Sequence, residues 1–430
     1  MKKIIALLLA VMMLASVLAA CGGNNNNTGN SGGAEKGDVF QGEKDVTLLV
    51  WAPEAAVELT QQLCEEFKNE HADKNITIDV KPQEEGDVAA QILNDPSVAG
   101  DVFSFACDQM NRLDKSKVLD PVPKAEDNLG IDYVSEIKGR DSEPSVEAAT
   151  MKGELLAYPE TGENGYYLVY DKSVVSDEDA KTFEGVLAAC RKAGKKFNMD
   201  AGNGFYSCMF MFTGGLEIQG LSAEGVQQFN NYDEEKVVDS LEAFANLFHE
   251  YSDIFQSDNV DKTGSGMAQN PRSVAAGIDG SWNAATVKSK LGDDYGAAKL
   301  PTINIKGTDT QIISMSGYKL IGVNAQSKAP YTAHALANYL AGEKCQLARA
   351  EKLSWSPSNK VAVESDVVKA NLGSMACLEQ AKFALPQVNI ADTFWSPMGT
   401  LGNYLVKTKD ITRDGIKTEF NKTITNIKDE

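Results

Sequence analysis

The chain has 430 residues, 43% of them hydrophobic and 24% charged, with a formal net charge of −20. It is long enough for two domains, each with a sizeable core, and its composition is that of an ordinary globular protein. The acidity argues against a nucleic-acid partner, which needs clustered Lys and Arg against phosphate, and disfavours a protein lying flat on an anionic membrane.

Met1-Lys2-Lys3 precedes an uncharged apolar run, Ile4 to Val17, and then Leu18-Ala19-Ala20-Cys21. Basic residues, an apolar stretch too short to span a bilayer and a small-residue cut site are the pattern of a secretory signal peptide. The cysteine makes the box similar to a bacterial lipobox. Residues 1–20 are then removed and Cys21 takes the lipid, where two acyl chains hold far more firmly than one. The chain is expected on the extracellular face of the cell membrane of a bacterium without an outer membrane, touching that membrane only through its lipid. Residues 21–44, rich in Asn, Gly, Ser and Thr, read as a flexible tether.

Val46 to Trp51 reads as a strand and Glu54 to Asn69 as a helix, with Ala56, Leu59, Leu63 and Phe67 at helical spacing. Asn75 to Lys81 alternates as a second strand, Val88 to Leu93 is helical and Asp101 to Ala106 is a third strand. This β-α-β-α-β order predicts an α/β fold with a mostly parallel sheet. Leu155 to Pro159 and Tyr166 to Tyr170 are two more strands. Helices follow over Phe183 to Ala193, stopped by Gly194, and over Glu234 to Tyr251. Gly202 to Gly215 is rich in Gly and aromatics. Ala275 to Gly280 is a strand feeding a helix near Trp282, and Gly296 to Leu300 and Lys319 to Asn324 are strands. From Tyr331 onward the chain is mainly helical.

Apart from Cys21, the cysteines Cys64, Cys107, Cys190, Cys208, Cys345 and Cys377 form no C-x-x-C pair, and several sit at apolar helical positions, so buried free thiols are expected. Only three histidines occur, none close to another, so neither a metal centre nor a cofactor is expected.

Four aromatic residues stand at the ends of elements, where an open α/β sheet binds its ligands: Phe105 at a strand end before Asp108, Tyr206 after a glycine-rich turn, Trp282 at a strand-to-helix junction and Trp395 ahead of a helix. A pyranose has apolar C–H faces and a hydroxyl rim, so it calls for flat rings with polar groups around the edge. Core packing is the commoner fate of any one such ring. Glu160 and Glu163 share a loop that Asp108 could approach, which leaves a glycoside-hydrolysing pair open. No G-x-S-x-G elbow or Walker-type phosphate loop is present.

From Val46 to the C-terminus the chain resembles an extracellular solute-binding protein of the maltose/maltodextrin-binding type, the capture component of an ABC sugar importer. The resemblance rests on Leu48-Leu49-Val50-Trp51, Asp101 to Asp108, Met151 to Pro159 with Glu163, Gly280-Ser281-Trp282 and Phe394-Trp395, in that order. It implies a periplasmic-binding-protein-like fold: two α/β lobes, 45–162 plus 316–358 and 163–315 plus 359–430, joined by two or three crossings with the ligand between them. It further implies that Phe105, Tyr206, Trp282 and Trp395 stack on sugar, with Phe205 competing for the role of Tyr206, and that Asp108 and Glu163 accept hydroxyl hydrogen bonds. The partners it implies are an oligosaccharide and the permease subunits of an ABC transporter, with the chain acting as a monomer and not as an enzyme. The chain departs from the family where Ala55 and Ala56 stand in place of a charged pair and Gln109 in place of an Arg, which points away from maltose itself towards a longer α-glucan fragment or another oligosaccharide gripped more by stacking. A tethered glycoside-degrading enzyme and a binder of a non-sugar solute are the competing readings.

Overall fold

The computed structural model describes residues 38–428; the expected signal peptide and the expected lipid attachment at Cys21 lie outside the described residues. Folded structure begins earlier than the tether boundary read from the sequence. Phe40 is buried against Phe67 and His71, and Asp38 pairs with Lys74 at 3.2 Å.

The chain starts with β1 (Thr47–Ala52), α1 (Val57–Glu70), β2 (Thr77–Pro82) and β3 (Val102–Ala106). Leu59, Leu63, Cys64 and Phe67 of α1 face the sheet at the spacing that its sequence showed. β4 (Tyr158–Pro159) precedes β5 (Tyr166–Asp171), α2 (Phe183–Lys192), β6 (Lys196–Met199) and α3 (Gly204–Ser207). Next come α4 (Glu234–Glu250), β7 (Phe255–Ser257), β8 (Val274–Gly280), α5 (Ala284–Leu291) and β9 (Tyr295–Ala298). β10 (Lys319–Val323) is followed by α6 (Pro330–Leu340), α7 (Glu343–Leu353), α8 (Leu372–Ala381), α9 (Trp395–Lys407) and α10 (Arg413–Lys428). The single strand expected over Leu155 to Pro159 is two: Glu154–Leu155 turns back on Thr150–Met151, and only Tyr158–Pro159 joins the large sheet.

Two five-stranded sheets result, in the orders β2-β1-β3-β10-β4 and β7-β6-β8-β5-β9. In each, the fourth strand runs against its neighbours. That strand, β5 in one sheet and β10 in the other, is the one by which the chain enters from the opposite sheet. One hydrophobic core is built from residues 40–158 and 320–345, a second from residues 166–315 and 390–427. The segments that pass between the sheets are tied side by side: Gly317 N–H donates to the Asn164 carbonyl at 3.0 Å, and Gly162 N–H to the Ser356 carbonyl at 2.7 Å. A Cβ at position 162 would run into the Pro357 carbonyl, so this approach requires glycine. The six cysteines of the described residues are free and buried, and burial pushes the thiols of Cys64, Cys190 and Cys208 up to about 12. Among the described residues no helix is long and apolar enough to cross a membrane.

Candidate functional site

The carboxyl ends of the parallel strands, and the crossings beside them, gather most of the residues singled out from sequence. On the second sheet the aromatic surface is made by three half-buried rings. Trp282 sits in the 3₁₀ turn Ser281–Asn283 that follows β8, Trp395 opens α9 and Phe205 lies in α3. Phe205 stands 6.0 Å from Trp282 and 6.4 Å from Trp395, centroid to centroid. α3 can come this close to α9 because Gly204 lies against the Trp395 backbone, where any Cβ would collide with its carbonyl. The Gly-rich turn thus serves packing. Tyr206, expected on this surface, is only 2% exposed, its ring tilted against Tyr166 at 5.0 Å. Phe205 takes its place, because one residue of helical rotation turns the neighbouring ring from the core to the opening.

On the first sheet, Phe105 is fully buried in the core beside Phe103 at 5.8 Å and is no stacking platform. Strand alternation gives the opposite face to Ser104, and that residue meets a buried charge cluster. Ser104 Oγ lies between two carboxylates, 3.2 Å from Glu85 Oε1 and in contact with Glu160 Oε2, with one hydroxyl proton to share between them. Lys319 Nζ holds both oxygens of Glu85, at 3.0 and 2.8 Å, and lies 3.7 Å from the centre of the Trp355 ring. Arg349 Nε pairs with Glu160 at 3.0 Å. Burial raises the carboxyl of Glu85, Lys319 opposes the rise and Glu160 adds to it. With Glu160 engaged by Arg349 and Ser104, it is not a free member of a hydrolytic pair. Gln109, which replaces the expected Arg, is a brace: its oxygen accepts from Ala89 N–H at 2.7 Å and its amide donates to the Glu85 carbonyl.

Asp108 follows β3 in the 3₁₀ turn Cys107–Gln109. Its Oδ1 is out of reach of solvent and has no hydrogen-bond partner. Burial pushes its carboxyl up to about 7, with Asp392 adding to the rise. Glu163 is deeper than expected, at the junction of the crossings. Its carboxylate accepts from Gly165 N–H at 3.2 Å and Ser356 N–H at 3.3 Å, and burial raises its pKa. Ser281 stands against Glu163 and offsets part of that rise, while Trp355 Nε1, Ser356 Oγ and Gln387 Oε1 are buried without partners. Unpaired buried polar atoms are rare in native proteins, and a mixed set of donors and acceptors is what a polyhydroxylated ligand would satisfy. Trp355 and the Lys319–Glu85 pair were not found from sequence; Trp355 has no periodic context and Lys319 is 234 residues from Glu85. The helix after β3 also touches the segment before α9: Arg112 Nε pairs with Asp392 at 3.2 Å, and the Cys107 thiol donates to the Gln387 carbonyl at 3.0 Å. Among the described residues, no group of three or more His, Cys, Asp or Glu side chains is placed to hold a metal ion.

The family model for bacterial extracellular solute-binding proteins matches residues 62–376. The chain belongs to that family. Among curated proteins, it is similar to the galactooligosaccharide-binding protein of Bacillus subtilis (strain 168), 32% identical over 126 residues, a stretch that spans 29% of this chain and 29% of that protein. A solved structure with acarbose aligns at 26% identity with a TM-score of 0.78, covering 89% of this chain and 98% of the other. The maltodextrin-binding protein of L. casei BL23 has a TM-score of 0.74 at 22% identity, over 90% of this chain and 99% of its own. The Thermus thermophilus maltotriose-binding protein gives 0.71 at 18% identity, over 89% and 99%. For the last two the likeness is one of fold. As a member of this family with two α/β sheets, the chain has the periplasmic-binding-protein-like architecture.

Proposed function

We propose that this solute-binding protein captures an oligosaccharide, a maltodextrin or other α-glucan fragment, between its two sheets and delivers it to the permease of an ABC importer. The observation that carries the reading is the half-buried ring set Phe205, Trp282 and Trp395 at the ends of the second sheet, with unpaired buried polar atoms in the crossings and at the end of β3. Rings stack on the C–H faces of the sugar, and Asp108 accepts a hydroxyl, a charge-assisted bond stronger than a neutral one. Residues 45–162 with 316–358 act as one lobe and 163–315 with 359–430 as the other. The lobes close on the sugar as a population shift, driven by tighter binding to the closed form. The lipid on Cys21 keeps the monomer at the outer face of the membrane, and no bond of the sugar is broken.

The test is isothermal titration of the full chain with maltotriose, longer maltodextrins and galactooligosaccharides, with incubation for released reducing ends. Heat with maltodextrins and no release is expected; heat with none of the sugars ends the proposal. Trp395→Ala should weaken binding by about 10-fold or more while leaving the fold intact, the scale of a lost ring contact. Unchanged affinity would make Trp395 structural.

A further inference from the structure

Strand β8 has a second polar end. Successive side chains alternate across a strand, so Gly280 and Asp279 face opposite sides of the sheet. The Trp282 indole lies over Gly280. Asp279 opens on the other side into a cavity of about 290 Å³, lined by Asp261, Gly264, Asn283, Thr286, Val287 and Lys290 along with Asp279 itself. Asp279 is 1% exposed. Its Oδ1 is used, accepting from Gly280 N–H at 2.7 Å and from Asn283 Nδ2 at 2.9 Å. Its Oδ2 is buried and has no partner. None of the salt bridges among the described residues reaches Asp279; Asp261 in the cavity wall adds negative charge, and Lys290 at the rim is exposed.

A buried carboxylate is stable when a cation or several donors face it, and here one oxygen has neither. A neutral hydroxyl would supply a donor and leave the charge uncompensated. An ammonium group supplies up to three donors and the charge together. We infer that the cavity beside Asp279 is a second binding site, separate from the aromatic surface, for the protonated amine of a small hydroxylated amine such as an amino sugar. The ammonium donates to Asp279 Oδ2, and the hydroxyls meet Asn283 and Thr286 at the cavity wall. Burial pushes the Asp279 carboxyl up to about 7, and Asp261 adds to the rise. The other titratable groups around it are Lys290 and the buried hydroxyls of Tyr167, Tyr206 and Tyr295. A bound cation lowers the Asp279 pKa, so binding near neutrality releases a proton.

The experiment is calorimetric titration of the full chain with ethanolamine and glucosamine, set against ethylene glycol and glucose, in two buffers of different ionisation enthalpy. The amines should bind at least ~10-fold more tightly than their neutral counterparts, with a buffer-dependent heat that reports proton release. Asp279→Asn should abolish the preference and the proton release while keeping the affinity for oligosaccharide. Thr286→Trp, an exposed position at the cavity wall, should block amines without touching the strand, and serves if Asp279→Asn does not fold. Trp395→Ala should leave amine binding unchanged. Equal binding of amines and neutral analogues, or amine binding that survives Thr286→Trp, overturns the inference whatever the oligosaccharide titration shows.

Discussion

Replacing Lys319 with Met tests the buried charge cluster directly. Lys319 is 1% exposed, and its ammonium is the cation that contacts Glu85. Met keeps most of the stem and removes the charge, so Glu85 is left beside Glu160 with its ion pair broken. Breaking a buried pair on one side costs about 3–5 kcal/mol, since it leaves an uncompensated charge. With an unfolding entropy of about 2.1 cal/mol/K per residue over the ~390 described residues, that loss corresponds to a fall in Tm of roughly 4–6 °C. Burial already holds the Glu85 carboxyl above its ordinary 4.5, and losing Lys319 raises it further. Between the ordinary value and the raised one, the folded chain binds a proton that the unfolded chain has released, so stability falls as pH rises. Lys319→Met should therefore lie closest to the parent at about pH 5 and furthest from it at about pH 8, where the charge must stay. The double variant Lys319→Met with Glu85→Gln should recover more than half of the loss, because no lone charge remains. Scanning calorimetry at several pH values measures all three proteins. A loss under about 1 kcal/mol at pH 8, or a double variant no more stable than the single one, would refute the reasoning.

Phe205→Ala should weaken oligosaccharide binding by about 10-fold, the ring that Tyr206 was expected to supply; titration with maltotriose checks it. Gly162→Ala should cost about 1–3 kcal/mol in urea unfolding, because its methyl pushes the first crossing off the Pro357 carbonyl and breaks the 2.7 Å bond to Ser356. Asp108, raised to about 7, takes up a proton on folding between its ordinary 3.8 and that value, so it subtracts stability as pH rises through this window. Asp108→Asn should raise the Tm at about pH 8 and leave it nearly unchanged at about pH 4, as thermal melts would show; the parent's affinity for sugar should increase from about pH 6 to about pH 8 as Asp108 ionises.

The α/β frame was legible because α1 carries a helical period and short apolar strand runs flank it, and Leu59, Leu63 and Phe67 face the sheet as their spacing requires. Trp282 and Trp395 could be placed at element ends because a short apolar strand run ends just before one and an amphipathic helix begins at the other. α3 is only four residues long, too short to show which of Phe205 and Tyr206 turns inward. Phe105 was misplaced since β3 is buried on both faces, and a strand with no exposed side gives no alternation to read. Arg349 is a charge on an amphipathic helix, and its burial against Glu160 exists only once α7 packs on the crossings. β7, three residues long, has too little sequence to display a period.

The packed start of the chain has a mechanical consequence. Glu43 accepts hydrogen bonds from Thr332 N–H and its hydroxyl, both at 2.7 Å, and so caps α6 from a distance, while Gln41 Nε2 donates to the Leu129 carbonyl at 2.9 Å. These contacts, with those of Asp38 and Phe40, all fall on elements of the first sheet's side. Any pull arriving through the residues before Asp38 is therefore taken up by that side alone. Closure of the two lobes, as proposed above, would then leave this anchoring side fixed and require the second sheet to do the moving.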